Sequence, residues 1–173
     1  DLVTNISEYA RLEAGDLVLP VAPFELDAVC AETVAMFQRP SPLAKDGVTV
    51  VALSYPHNTR VLGSSCHLRQ VLRILLSNGL KFTDHGKVEV RVALVALLTS
   101  TERYSFSVSD TGRGIPAAAQ QAVFEQYQTA GPKPGTGLGL TLARGLVGLM
   151  GGTIAVESPW QAGRGGSRFS FEA

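Results

Sequence analysis

The chain has 173 residues, 45% of them hydrophobic, and its 15 Lys plus Arg balance 15 Asp plus Glu. That length suits one domain of roughly 100–200 residues with a core of its own, and the composition excludes a disordered polymer. Zero formal charge excludes a basic field for nucleic acid or anionic lipid, and the longest apolar run, Val92 to Leu98, is too short to cross a bilayer. No stretch reads as a signal peptide, and Cys30 and Cys66 fall in no CxxC or Cys/His spacing. Both are expected as buried thiols in a reducing, intracellular compartment rather than as a disulfide or metal ligands.

Leu2, Ile6 and Tyr9 lie at i, i+4 and i+7 and predict a first helix, capped by Gly15. So thin a stripe fits the end of a helical hairpin or coiled coil whose partner lies upstream, and a frayed terminal helix would look the same. The chain opens mid-helix without an initiator Met, so a piece of something longer is expected. Leu17 to Leu19 read as an extended link closed by Pro20. Leu26, Val29, Cys30, Thr33, Val34 and Phe37 mark an amphipathic helix with Asp27 in its first turn, ended by Arg39-Pro40-Ser41-Pro42. Asp46-Gly47 turns into a strand over Val48 to Leu53, and Pro56-His57-Asn58 turns into a short strand at Arg60 to Leu62.

Ser64 or Ser65 can cap the next helix, which runs to about Phe82 and buries Leu68, Val71, Leu72, Leu75 and Leu76. Its second stripe, Ile74, Asn78 and Lys81, has two readings. It is a solvated flank, or Asn78 offers Mg²⁺ a neutral oxygen while Lys81 meets a phosphate. After the turn Asp84-His85-Gly86, Val88, Val90 and Val92 alternate with Lys87, Glu89 and Arg91. Leu97 to Glu102 then leads into a second strand, as in an antiparallel hairpin.

In that second strand Tyr104, Phe106 and Val108 alternate with Ser105, Ser107 and Ser109. Asp110 shares the parity of the apolar set, so its carboxylate is expected on the core side, where it needs a donor. Gly112 and Gly114 let the chain turn tightly and a flat ligand approach. A carboxylate there suits a base edge with an exocyclic amine; an exposed Asp in an ordinary Asp-Thr-Gly turn is the other reading. A short helix is expected after Pro116, then Val123-Phe124-Glu125-Gln126-Tyr127, then a mobile loop over Gln128 to Pro134. Gly135-Thr136-Gly137-Leu138-Gly139-Leu140 opens a helix with Leu142, Leu146, Leu149 and Met150 inside, and its N-terminal N–H groups suit an anion. The spacing is neither a Walker A loop nor a dinucleotide fingerprint. Gly151-Gly152 caps the helix, and strands at Thr153 to Ser158 and Arg168 to Glu172 complete the chain.

Together these motifs resemble the nucleotide-binding boxes of the sensor histidine kinase catalytic domain, most like the hybrid kinases. That domain shares the Bergerat (GHKL) ATPase fold with gyrase, Hsp90 and MutL. His67 through Thr83 resembles the N box, Asp110 to Pro116 the first glycine box, Phe124 to Tyr127 the F box and Gly135 to Leu140 the second glycine box. Leu149-Met150-Gly151-Gly152-Thr153-Ile154 and Ser167-Arg168-Phe169 match the tail, and Leu12-Glu13-Ala14-Gly15 matches the end of the hairpin's second helix.

The resemblance implies that residues 1–15 end the dimerisation and phosphoacceptor hairpin and that 16–173 form the catalytic ATP-binding domain. It implies an α+β fold, a two-layer α/β sandwich whose mixed, mostly antiparallel sheet carries helices on one face. ATP with Mg²⁺ is the implied ligand. Asp110 would accept the adenine amino group and Asn78 would coordinate Mg²⁺ bridging the phosphates. Lys81 and Lys133 would meet phosphate oxygens, and the backbone of Gly137, Leu138 and Gly139 would cradle them. Phe82, Gly112, Gly114, Ile115, Tyr127, Thr136, Leu140 and Ser167 complete the implied ATP site, with Asn78 and Lys81 as the catalytic pair. The implied activity is transfer of the γ-phosphoryl group to a histidine on the upstream hairpin, by positioning and charge stabilisation. A response-regulator receiver and a hairpin-mediated homodimer of the whole protein are the implied partners, in the cytoplasm even where the whole protein is membrane-attached.

Three departures stand out. Where the family usually has a second Asn one turn before the metal-binding one, this chain has Ile74. The lid is several residues shorter than in hybrid kinases, with Lys133 its one cation. His57, His67 and His85 are followed by Asn58, Leu68 and Gly86, so none starts a His-Glu or His-Asp phosphoacceptor motif, and all three are expected at the surface. A degenerate nucleotide-binding module that regulates a partner therefore stands as the alternative to a kinase. An ATP-hydrolysing relative is disfavoured, because Ile74 cannot replace the water-activating Glu of that branch.

Overall fold

A computed structural model describes residues 2–38, 47–54, 58–97, 102–126, 137–160 and 165–173. Helix α1 (Leu2–Glu13) ends where Gly15 turns with φ +73°, the Gly15 N–H donating to Leu12 O and the Asp16 N–H to Arg11 O. Its docking face is the half-buried set Asn5, Glu8, Tyr9 and Leu12, whereas Ile6, expected on one stripe with Tyr9, is 48% exposed. Leu12 lies over Gly145 of a later helix, where a Cβ would stand 2.1 Å from its Cδ2. Beyond the link, in which Leu17 is buried, strand β1 (Ala22–Glu25) pairs antiparallel with β3 (Arg60–Gly63). The sequence reading has no strand at β1, because four residues including a proline carry no readable alternation.

Helix α2 (Leu26–Gln38) buries Leu26, Val29, Cys30, Thr33 and Val34 as expected, and the Thr33 hydroxyl donates to Val29 O at 2.6 Å. Burial, with Asp27 nearby, pushes the Cys30 thiol up to about 12. Cys66 departs from the same expectation: it is exposed, on the outer side of the first turn of α3 (Ser65–Phe82).

The main sheet has the order β2 (Val48–Ser54), β4 (Gly86–Leu97), β5 (Glu102–Asp110), β7 (Arg168–Glu172), β6 (Ile154–Glu157). Among the described pairs of this sheet only β2 with β4 is parallel, so the sheet is mixed and mostly antiparallel. Val88, Val90 and Val92 of β4 and Tyr104, Phe106 and Val108 of β5 turn to one face and pack with α2, α3 and α4 (Gly139–Leu149). Phe106 stacks on Phe171 at 4.8 Å between centroids, and Phe124 meets Phe169 edge-on at 6.0 Å. Lys87 and Arg91 stay exposed on the opposite face. Two layers follow from the period-2 pattern of the strands and the single apolar stripe of each helix.

Three expectations are corrected here. The stretch after Pro116 is two 3-10 turns, Ala117–Ala119 and Ala122–Phe124, in place of a helix. Leu149 is 47% exposed, since the helix ends there and turns outward at Gly151. Strand β6 covers Ile154–Glu157 only. The Arg39-Pro40-Ser41-Pro42 break, Pro56 and His57, and the Gln128 to Pro134 loop lie outside the described residues. Among the described residues no helix is long and apolar enough to cross a membrane.

Candidate functional site

Helix α3 gathers both glycine turns along one side. A Cβ on Gly112 would stand 2.3 Å from Phe82 O, so the first glycine turn lies directly on the last turn of α3. At Gly79, beside Asn78, a Cβ would be 3.7 Å from the Asp110 Cβ and 2.9 Å from Val88 Cγ1, which brings that turn of α3 against the end of β5. One turn earlier, Ile74 Cγ2 is 3.4 Å from where a Gly139 Cβ would stand, at the start of α4. The strand-end carboxylate and the glycine-led helix start are therefore held together by Ile74, Gly79 and Phe82 of α3, about two helical turns end to end.

Asp110 is buried, 5% exposed, as its strand parity requires. Its Oδ1 accepts the Gly112 N–H at 2.8 Å, and its own N–H donates to Ser167 O at 2.8 Å. Burial raises its pKa above the ordinary value, and the backbone N–H groups of Gly112 and Ser167 pull it partly back. The exposed-turn reading is thus excluded. Roughly four lone-pair sites leave the carboxylate acceptor capacity beyond the Gly112 and Ser167 N–H groups, as recognition of an amine on a base edge needs.

Asn78 and Lys81 are half-buried, and the Lys81 Nζ stands 4.8 Å from the Phe82 ring centroid. The Arg113 guanidinium sits 4.9 Å from the same ring, so this aromatic carries two cations beside the glycine turn. Leu138 is the N-cap residue of α4 and its own side chain makes no cap bond; the N–H groups of a helix's first turn suit an anion. Ile115, Leu140 and Gly137 are half-buried around these turns, and Ser167 is buried. Gly114 turns with φ +75°. Tyr127, Lys133 and Thr136 lie outside the described residues.

A magnesium ion fits these residues only in the company of phosphates. Among the described residues no three His, Cys, Asp or Glu side chains gather as a metal cage. Asn78 offers one neutral oxygen, in keeping with the habit of Mg²⁺ to take one or two protein ligands and complete its shell with phosphate and water.

Three supporting residues escape sequence reading. The Ser158 Oγ accepts the Ile115 N–H at 2.7 Å and donates to Gly166 O at 2.8 Å. Gln120 Nε2 donates to Ile115 O at 3.1 Å, and Trp160 Nε1 donates to Asp110 O at 2.7 Å. None belongs to a periodic stripe; the one available signal is that Trp160 is the single tryptophan of the sequence.

Two other features lie apart. His67 is buried, 8% exposed, against the expectation of a surface histidine. Its Nδ1 is 2.7 Å from Ser64 Oγ, which serves it in place of a side-chain cap on α3. Burial lowers its pKa, Glu8 of α1 working against the shift and Arg11 with it. His85 is exposed and His57 lies outside the described residues. An apolar cavity of about 890 Å³ opens between the β1–β3 ribbon and the sheet, lined by Leu17, Phe24, Val61, Leu68 and Phe106. It contains none of the residues that converge on α3, so it is not the pocket they build.

Fold and site define a class: a two-layer α+β domain in which a buried strand-end carboxylate and two glycine turns are gathered on one helix. The model of the histidine kinase-, DNA gyrase B- and HSP90-like ATPases matches residues 63–173, and the chain belongs to that family. It is 35% identical to the sensor histidine kinase AruS of Pseudomonas aeruginosa over 179 residues, covering 99% of this chain and 17% of AruS. It is 32% identical to the signal transduction histidine-protein kinase BarA of Escherichia coli, covering 98% of this chain and 19% of BarA. The chain thus spans under a fifth of the length of these curated relatives. The crystal structure of full-length ShkA in complex with AMPPNP superposes with a TM-score of 0.78 at 29% identity, over 99% of this chain and 35% of ShkA.

Proposed function

We propose that residues 16–173 are the ATP-binding catalytic domain of a sensor histidine kinase, and that residues 1–15 end its phosphoacceptor hairpin. In this reading Asp110 accepts the adenine amino group, and Asn78 holds Mg²⁺ against the phosphates. Lys81 and the α4 N-terminus carry phosphate charge, joined by Lys133. The γ-phosphoryl group leaves ADP and forms a P–N bond with a histidine of the hairpin, from which a receiver domain takes it. The observation that carries the reading is the burial of Asp110 beside a glycine turn that lies on α3, next to Asn78. Resemblance to AruS and BarA supports the kinase class.

One observation favours a second reading, a nucleotide-binding module without transfer. The aliphatic Ile74 packs at the start of α4, where a polar side chain would serve the phosphate end better. The deciding experiment incubates γ-labelled ATP with the 173-residue chain and with a version extended upstream through the hairpin. The kinase reading expects acid-labile, base-stable label on the extended protein and none on the shorter chain. Label on the shorter chain would contradict the absence of an acceptor in it; an unlabelled extended protein that still binds ATP would establish the second reading.

A further inference from the structure

Beyond the boxes, we propose that Trp160 is a positioning residue for base recognition, acting through Asp110; the proposal rests on the nucleotide reading above. The Asp110 peptide is held from both sides. Its N–H is tied to Ser167 O of the β7 side at 2.8 Å, and its carbonyl takes the Trp160 indole N–H at 2.7 Å. The indole is itself fixed. The Arg168 guanidinium lies 4.3 Å from the Trp160 ring, while its Nε donates to Ser109 Oγ at 3.1 Å, one residue before Asp110.

Two glycines make room for this arrangement. A Cβ on Gly166, which has φ +94°, would stand 2.2 Å from Asp110 O and 2.9 Å from Trp160 Nε1. A Cβ on Gly165 would stand 2.8 Å from Gly112 O. Trp160 thus brings a donor to the backbone carbonyl of the residue that bears the recognition carboxylate. A carboxylate selects an amine by direction as much as by charge, so a tilted Asp110 peptide loses selectivity before it loses phosphate binding.

The test compares Mg²⁺-ADP with Mg²⁺-IDP, which carries a carbonyl where adenine carries the amine, by calorimetry on the 173-residue chain. Wild-type chain should prefer ADP by about 10-fold or more. Trp160→Phe keeps an aromatic ring but removes the donor. It should weaken ADP about 3- to 10-fold while leaving IDP within about twofold, so that the preference shrinks. Arg168→Met, which frees the indole face, should shrink it in the same direction and decides the matter if Trp160→Phe fails to fold. Equal weakening of both nucleotides, or an unchanged preference in a folded variant, would overturn the positioning role. A wild-type chain that binds both nucleotides equally would instead overturn the assignment of Asp110, and the proposal with it.

Discussion

At the scale of single residues, Asp110 is the costly one. A carboxylate 5% exposed, with the Gly112 and Ser167 backbone N–H groups acting on it, is less well solvated than in the unfolded chain, and its pKa is raised. Below the ordinary value of 3.8 both states hold the proton. As pH rises the unfolded chain ionises first, so the stability present at low pH is lost through the raised folded value. At neutral pH Asp110 therefore burdens the empty protein. Asp110→Asn keeps an oxygen for the Gly112 N–H and removes the charge. Ligand-free Asp110→Asn should melt higher than wild type at pH 7, by about 2–4 °C for each kcal/mol regained, and the excess should shrink toward pH 4. A lower melting point at pH 7 would show that the carboxylate is better satisfied than its burial implies. Asp110 was legible because strand parity alone assigns its side. His67 was not: α1, more than fifty positions away, faces it with Glu8 and Arg11, and Glu8 also accepts a hydrogen bond from Gln70 of α3. No local pattern at a helix start announces such a neighbour.

At the scale of elements, the apolar stripe of α3 was readable residue for residue: Leu68, Val71, Leu72, Leu75 and Leu76 are all buried. Of the second stripe, Ile74 lies against Gly139 of the second glycine turn. What the stripe could not say is whether Ile74 is packing or an absent catalytic group, since both roles place a side chain there. Ile74→Asn separates them in the hairpin-extended protein. Transfer depends on groups that favour the transition state selectively, so a polar residue here should raise the phosphotransfer rate about 10-fold, or about 1.4 kcal/mol of barrier, with little change in Kd. An unchanged or slower rate would make Ile74 a packing residue and remove the main support for a module without transfer. Elements that escaped reading share a physical cause. β1 is four residues long, and the turns after Pro116 are too short for any period. Their positions are set by partners distant in sequence, Gly63 to Arg60 for β1.

At the scale of the whole molecule, the two-layer sandwich was foreseeable through the ordered boxes and the family they resemble. The support around the first glycine turn was not. Ser158, Trp160 and Arg168 come from the far end of the chain and reach Ile115, Asp110 and Ser109 respectively only because β7 pairs with β5. The central claim, that this domain holds a nucleotide by its base through Asp110, is tested most directly by calorimetric titration of Mg²⁺-ATP into wild type and Asp110→Asn. A hydrogen bond to a charged acceptor is worth about 1.5–3 kcal/mol, so the variant should bind roughly 10- to 100-fold more weakly, while remaining folded. Wild-type affinity in Asp110→Asn would contradict the claim and take Asp110 out of the base site.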